Sequence, residues 1–266
     1  MKPVFSIHLH SKDLPLLHKI HKFFGGIGFI HVTKGGQSAS FNVTKLDDLI
    51  KHIIPHFKAY PLRSAKKIDF QLWLKCVELI ENKEHLTEEG LNKILSLKSA
   101  LNRGLSENLK AAFANVVPTE RPAYTIDETL LDPYWLAGLV DAEGCFVVKI
   151  SKNKTHISGL QVSLRFQVTQ HNRDRQLLES LASYLDCGSY YSRGTDLGDY
   201  VVSRFTDIVE KIIPFFDKYP LEGAKSLNYA DFKKVAGMMK GGAHLTLEGL
   251  EEIRKIKAGM NSGRPS

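Results

Sequence analysis

The sequence predicts an α+β protein made of two related half domains. Three observations carry this reading: a long internal repeat, short strands that alternate apolar and polar residues, and helices with one apolar stripe. The repeat comes first, because overlooking it misassigns a whole fold. Ile53-Ile54-Pro55-x-Phe57-x-x-Tyr60-Pro61-Leu62 returns as Ile212-Ile213-Pro214-x-Phe216-x-x-Tyr219-Pro220-Leu221. Ala65-Lys66 returns as Ala224-Lys225, and His85-Leu86-Thr87-x-Glu89-Gly90-Leu91 as His244-Leu245-Thr246-x-Glu248-Gly249-Leu250. All three recur in one register, about 159 residues on. Phe5-x-x-x-x-His10-x-x-Asp13 matches Phe166-x-x-x-x-His171-x-x-Asp174 at nearly the same interval. A unit this long, present twice, is no solenoid repeat and implies two pseudo-twofold-related halves.

The elements are clearest in the second copy. Val162 to Thr169 alternates apolar Val162, Leu164, Phe166 and Val168 with polar Ser163, Arg165, Gln167 and Thr169, the pattern of a half-buried strand. Cys145 to Ser151 alternates in the same way, and Tyr200 to Phe205 is β-rich. Asp174 to Tyr184 carries Leu177, Leu178, Leu181 and Leu185 on one helical stripe. Asp207 to Phe216 and Lys225 to Met239 also read as helices. Thr246 then caps a further helix, with Glu248 and Glu251 near its start. The matching helix of the first copy is expected to run from Thr87 to near Gly104.

The copies differ in extent. About thirty residues separate Trp135 from Phe166, whereas four precede Phe5. The first copy is therefore expected to lack the counterpart of Pro133 to Gln161, one helix and one strand. The predicted domains are 1–115, an incomplete half without the extra helix; 116–131, a linker holding Pro118 and Pro122; and 132–266, a complete half with that helix at 136–144.

The segment peculiar to the second copy is the most unusual in the chain. It reads Asp132-Pro133-Tyr134-Trp135-Leu136-Ala137-Gly138-Leu139-Val140-Asp141-Ala142-Glu143-Gly144. Asp132 suits an N-cap and Pro133 the first helical position. Gly138 and Ala142 share a helical face, where small side chains let another backbone come close. Glu143 stands at the C-terminal end, where an acid opposes the helix dipole, so its position needs a reason. A divalent cation held by carboxylate oxygen would supply one.

Leu136 to Gly144 resembles the motif that names the LAGLIDADG homing endonucleases. The Phe166-Gln167-Val168-Thr169-Gln170-His171 strand, the Tyr-Pro-Leu turns, the Ala-Lys pairs and the His-Leu-Thr helix starts are similar to its single-chain members. The resemblance implies two αββαββα half domains with saddle-shaped antiparallel sheets, the first truncated at its N-terminus. It implies Mg²⁺-dependent hydrolysis of phosphodiester bonds in a long double-stranded DNA target, with Ca²⁺ or Mn²⁺ able to replace Mg²⁺. Glu143 and Gly144 correspond to the metal-binding acid and carbonyl. Gln170 resembles a polar residue that orders water, a position held by Leu9 in the first copy. Lys66 and Lys225 resemble basic residues that stabilise charge on the phosphate. Catalysis at paired metals needs two carboxylates, and the motif supplies one here. The second is expected from an upstream segment or from Glu143 of another copy. The unpartnered Gly138 and Ala142 face then favours self-association of the chain as given. The family implies an intron-encoded, organellar, mitochondrial enzyme, a pseudo-dimeric monomer when complete. Group I intron RNA maturation and an inert, DNA-binding remnant are the alternative readings.

Alternation also supplies a nucleic-acid-facing set. The second half offers Lys149, Ser151, Arg165, Gln167, Thr169, Tyr191, Arg193 and Ser203, and the first Ser6, His8, His31 and Thr33. The plain alternative is an ordinary wet sheet face. Likewise, Lys66 and Lys225 read alone as solvated lysines, and Gln170 as a polar strand end. Composition sets outer bounds. The net charge of +7 suits a polyanionic partner without requiring one. No apolar run is long enough to span a bilayer, so no membrane partner is expected. Met1 to His10 resembles neither a signal nor a transit peptide. Cys76, Cys145 and Cys187 read as free thiols.

Overall fold

Alternating side chains build one antiparallel sheet in each half of the chain. The computed structural model describes residues 1–102, 104–125, 131–154 and 159–264. The chain divides into two units, Met1–Ile126 and Asp127–Ser266.

The first unit contains β1 (Phe5–His10), α1 (Leu14–Phe23), β2 (Phe29–Val32), β3 (Ser38–Val43), α2 (Leu46–Asp48), α3 (Ile54–Ala59), α4 (Lys66–Glu81), α5 (Glu88–Ser99) and α6 (Glu107–Ala112). Its sheet has the order β1-β3-β2, all antiparallel. Phe41 and Val43 of β3 pack with Leu17 of α1 and with Leu49 and Ile53 in one buried cluster. A second cluster joins Ile68, Leu72 and Ile80 of α4 to Ile94 and Leu97 of α5.

The second unit contains α7 (Pro133–Glu143), β4 (Gly144–Lys152), β5 (Leu160–His171), α8 (Arg175–Tyr184), β6 (Ser189–Arg193), β7 (Leu197–Val202), α9 (Phe205–Asp207), α10 (Ile213–Lys218), α11 (Lys225–Lys240) and α12 (Leu247–Ala258). Its sheet has the order β4-β5-β7-β6. One core cluster holds Phe146, Phe166, Tyr200, Phe216 and Phe232 together with Leu136 and Val140 of α7. From β5 onward the succession of elements repeats that from β1. Among the described residues, the first unit has no counterpart of α7 and β4. β1 is therefore a sheet edge where β5 is internal.

The repeated sequence islands mark repeated backbone problems. Pro55 and Pro214 have no N–H to donate, and the turn before each widens to a π-helix at Leu49–Ile53 and Ile208–Ile212. The Thr87 and Thr246 hydroxyls accept hydrogen bonds from the N–H groups of Gly90 and Gly249, at 3.0 and 3.1 Å. A Cβ on either glycine would lie 2.0 Å from the carbonyl oxygen of Glu84 or Ala243. The Nδ1 atoms of His10 and His171 accept from the N–H groups of Lys12 and Arg173 and so cap the turns that follow β1 and β5.

Two expectations need correction. α5 stops at Ser99 rather than near Gly104. Asn102 takes the left-handed region at φ 52° and donates its N–H to buried Asp69 at 3.1 Å, which pulls the chain out of the helix. The third strand of the second sheet is Leu197–Val202, earlier than the expected Tyr200 to Phe205, and Phe205 already begins α9. Residues 116–125 of the expected linker form neither helix nor strand, but they are tied to the first unit. Thr119 N–H donates to Ser96 O at 3.2 Å, Arg121 binds Asp69 and Ala100 O, and the Tyr124 hydroxyl donates to Arg63 O. The linker residues 126–130 lie outside the described residues.

Asp69 is pulled two ways. Burial alone would raise its pKa, but the Arg121 hydrogen bond, the Asn102 N–H and the charges of Arg121 and Lys66 outweigh it and hold the carboxyl below its usual range. A depressed folded-state pKa contributes stability above the unfolded value of about 3.9, which is lost as pH falls through the folded value. Arg121→Ala is expected to cost about 3 kcal/mol at neutral pH, the low end for breaking a buried pair because Arg121 is itself partly exposed. Urea denaturation at pH 7 and near pH 3 would measure it, and the difference from the parent should shrink in acid. Gly249→Ala is expected to cost about 1–3 kcal/mol through the Ala243 carbonyl clash. An unchanged denaturation midpoint would contradict that account.

Candidate active site and nucleic-acid face

The signature helix forms as its sequence directs. Asp132 Oδ1 accepts from the N–H groups of Tyr134 and Trp135 at 2.9 and 3.0 Å, and Pro133 takes the first helical position. Leu136, Ala137 and Val140 are buried against the sheet. Gly138 and Ala142 lie on the exposed side, and a Cβ on Gly138 would meet nothing within 4 Å. Glu143 ends the helix with its side chain exposed. Gly144 follows at once as the first residue of β4 and is buried. A Cβ there would lie 2.5 Å from Val140 Cγ1 and 2.8 Å from Val140 O. Helix therefore becomes strand with no loop, at a residue whose place only glycine fits.

Lys225, the first residue of α11, reaches this corner. Its ammonium donates to Gly144 O and, at 3.3 Å, to Ala142 O. Asp141, which sequence reading passed over, holds Lys225 in reach. Its Oδ2 accepts from the N–H groups of Glu222 and Gly223 at 2.7 and 3.1 Å, which fixes the turn into α11. The one available signal was an acid inside an otherwise apolar helix. Gln170 pairs with Gly198 on β5, two residues beyond Val168, the partner of Gly144. Lys66 opens α4 of the first unit as Lys225 opens α11. It contacts Asn102 Oδ1 at 3.2 Å and Asp69 at 3.9 Å.

The corner of the second unit is rich in hard oxygen. The Ala142 and Gly144 carbonyls stand at the negative end of α7, and Glu143 is the last residue of that helix. The Lys225 ammonium donates to both carbonyls. Among the described residues, no three His, Cys, Asp or Glu side chains cluster as a metal cage. Oxygen donors of this kind suit a hard divalent cation.

β4 leads directly from this corner into a polar sheet face. Register puts Lys149 and Ser151 of β4, Arg165, Gln167 and Thr169 of β5, and Tyr191 and Arg193 of β6 on one side, with Ser203 just past β7. Arg165, Gln167, Tyr191, Arg193 and Ser203 line a shallow hollow of about 560 Å³. The hollow also holds Asp199, which alternation alone did not nominate. In the first unit Ser6 and His8 of β1 and His31 of β2 share a face with Ser40 and Asn42 of β3. Ser6 donates to Asn42 Oδ1 at 2.6 Å and lies 2.9 Å from His8 Nε2. Thr33, just past β2, donates to Ser38 O at 3.1 Å and closes the hairpin.

The model of the LAGLIDADG endonuclease family matches residues 1–77 and 136–236, more than half of the chain. The chain belongs to that family. "Probable intron-encoded endonuclease 3" of Neurospora crassa is 40% identical over 250 residues, 94% of this chain and 46% of that protein. "Probable intron-encoded endonuclease 2" of the same organism is 35% identical over 95% of this chain and 57% of its own length. The chain thus spans about half the length of these curated relatives. The crystal structure of the I-SmaMI LAGLIDADG homing endonuclease bound to cleaved DNA superposes with a TM-score of 0.94 at 44% identity, over 98% of this chain and 87% of that one. I-LtrWI bound to target DNA gives a TM-score of 0.95 at 42% identity, over 99% and 88%. Other I-SmaMI structures hold uncleaved DNA with calcium ions, or carry alanine in place of two lysines.

The open space around Gly138 separates two roles for that glycine. Gly138→Ala is expected to stabilise the folded chain by about 0.5–1 kcal/mol, because alanine is the better helix former and no neighbour obstructs its Cβ. Thermal melting would check this. A destabilised variant would mean that something already packs on this face.

Proposed function

We propose that this chain is a homing-type DNA endonuclease that hydrolyses phosphodiester bonds at a long double-stranded target with the aid of a divalent cation. One observation carries the reading. At the end of α7 the exposed acid Glu143 is followed at once by a buried glycine whose carbonyl accepts from the Lys225 ammonium, and there a polar, basic sheet face begins. The relatives named for introns and the structures bound to DNA support it. A relative in ND4 intron 1 of Podospora anserina supports an organellar, mitochondrial setting. The calcium-bound relative supports a divalent metal, and we assign Mg²⁺ as the working ion.

In this reading Glu143 and the Gly144 carbonyl would hold the cation. When bound, it would supply Lewis-acid stabilisation of charge on the phosphodiester. Lys225, fixed by Asp141, carries a positive charge to the same group, and Gln170 orients water from β5. Lys66 has the corresponding place in the first unit. The two lysines replaced in I-SmaMI are separated by the same number of residues as Lys66 and Lys225, which supports pairing them functionally. The exposed Gly138 and Ala142 side of α7 receives a second helix of this kind, which brings the second carboxylate that double-strand cleavage needs.

The test is cleavage of duplexes carrying intron-insertion sites, by this chain and by the chain extended upstream through a second signature helix. Mg²⁺-dependent cutting is expected from the extended form. Glu143→Gln should lower it about 100-fold or more while leaving Ca²⁺-supported binding in place. Chelation of the metal should also stop it. Unimpaired cutting by Glu143→Gln would defeat the reading. Binding to group I intron RNA with no affinity for duplex DNA would replace it with RNA maturation.

A further inference from the structure

Asp199 stands in the middle of the polar face of the second sheet. A carboxylate there opposes the approach of phosphates, so its presence needs a reason. It is not a free acid. Its residue is only 3% exposed, and Oδ1 accepts a hydrogen bond from the Thr169 hydroxyl at 2.6 Å. Oδ2 meets two arginines, Arg193 through Nε at 3.5 Å and Arg165 through Nη2 at 3.8 Å. The two come from opposite directions. Tyr191 and Thr169 pair with Asp199 across the ladders, and Arg193 lies two residues beyond Tyr191 while Arg165 lies four before Thr169. Both guanidinium side chains remain open to solvent, at 55% and 44%.

Neither ion pair adds much to the stability of the free protein, since both arginine ends are solvent-exposed and the separations are long. What it does is hold two like charges together. Without the carboxylate the heads would repel and each long side chain would sample many rotamers. With it, both are steered to one spot and most of their N–H groups stay unused. The Arg193 atom nearest Asp199 is Nε, which leaves the Nη1 and Nη2 edge of a half-exposed side chain available. Such an edge matches a phosphate, a carboxylate or the O6 and N7 acceptors of guanine. Asp199 decides among these. An anion placed here would meet the buried carboxylate beside it, whereas the base edge is neutral.

We propose that Arg165 and Arg193, held by Asp199, form a guanine-reading element that selects guanine at neighbouring base pairs of the target through the major groove. The proposal rests on the endonuclease reading above and adds a base identity to it. Asp199 is a positioning residue. It is too covered to touch a base and acts through the two arginines.

The test uses the full chain in Ca²⁺, selecting bound duplexes from a pool with randomised target positions. The parent should enrich guanine, on either strand, at neighbouring positions. Arg193→Lys and Arg165→Lys keep the charge and lose the fork, so each should relax one of those positions about tenfold or more while total affinity changes far less. Asp199→Asn keeps the side chain's size and an acceptor for Thr169. It should relax both positions, raise affinity for unrelated DNA, and steepen the salt dependence by about one in the logarithmic slope. A purely structural Asp199 would instead weaken binding to every sequence together and lower the melting temperature. That result overturns the proposal, as does a parent whose selected site has no guanine that the lysine variants relax. A parent that binds no duplex at all fails earlier, at the endonuclease reading, and so is told apart.

Discussion

The candidate site depends on one steric constraint, the passage of α7 directly into β4 through Gly144. The torsions there are ordinary, so the requirement is room and not a left-handed backbone. Val140 occupies the space that any side chain at 144 would need. Because no loop intervenes, the negative end of a helix lies against the first rung of the β4–β5 ladder, where Gly144 pairs with Val168. Loops drift, and a helix end fixed by its own buried stripe does not. Leu136, Ala137 and Val140 anchor that stripe, and Glu143 inherits its position from them.

Around this junction the two halves solve the same backbone problems with nearly the same residues, and their differences are informative. Asn102 and Asn261 both leave the last long helix at φ 52°, and each N–H donates to a side chain one helix away. In the first unit the acceptor is the charged Asp69, clamped by Arg121. In the second it is the neutral Asn228, and Arg264 donates both to Asn228 Oδ1, at 3.3 Å, and to Asp231. An amide accepts the same hydrogen bond with no charge to neutralise, and the ion pair of the arginine goes instead to Asp231, on the same helix. The ordered stretch 116–125 is thus part of the first unit's packing as much as a connection.

The polar faces of the two sheets differ in reach. The first unit presents short side chains bonded to one another, Ser6 to Asn42 and Asn42 to Ser40. The second presents long ones, Lys149 on β4 and Arg165, Gln167, Tyr191 and Arg193 in the hollow around the buried Asp199. Long forked groups reach base edges, whereas short tied ones act at close range or through water.

Much of this was legible in the chain of letters. The duplication, the period-two strands, the Asp132 cap and the acid before Gly144 are local patterns, and local patterns are set by backbone geometry within a few residues. The face on which Lys149, Arg165 and Arg193 lie follows from alternation, which has only two outcomes. Contacts between residues far apart in sequence were not legible. Asp141 looked like one more residue of an apolar helix until the Glu222–Gly223 turn came to rest on it. Asp199 was hidden in a β-rich stretch whose boundaries sequence placed too late. The helix stop at Ser99 depended on a carboxylate more than thirty residues away. Sequence by itself determined which elements exist and which side of each is wet, because those follow from periodicity. Only the tertiary structure decided which charges meet, because burying a polar group demands a partner, and any residue the fold brings within reach can supply one.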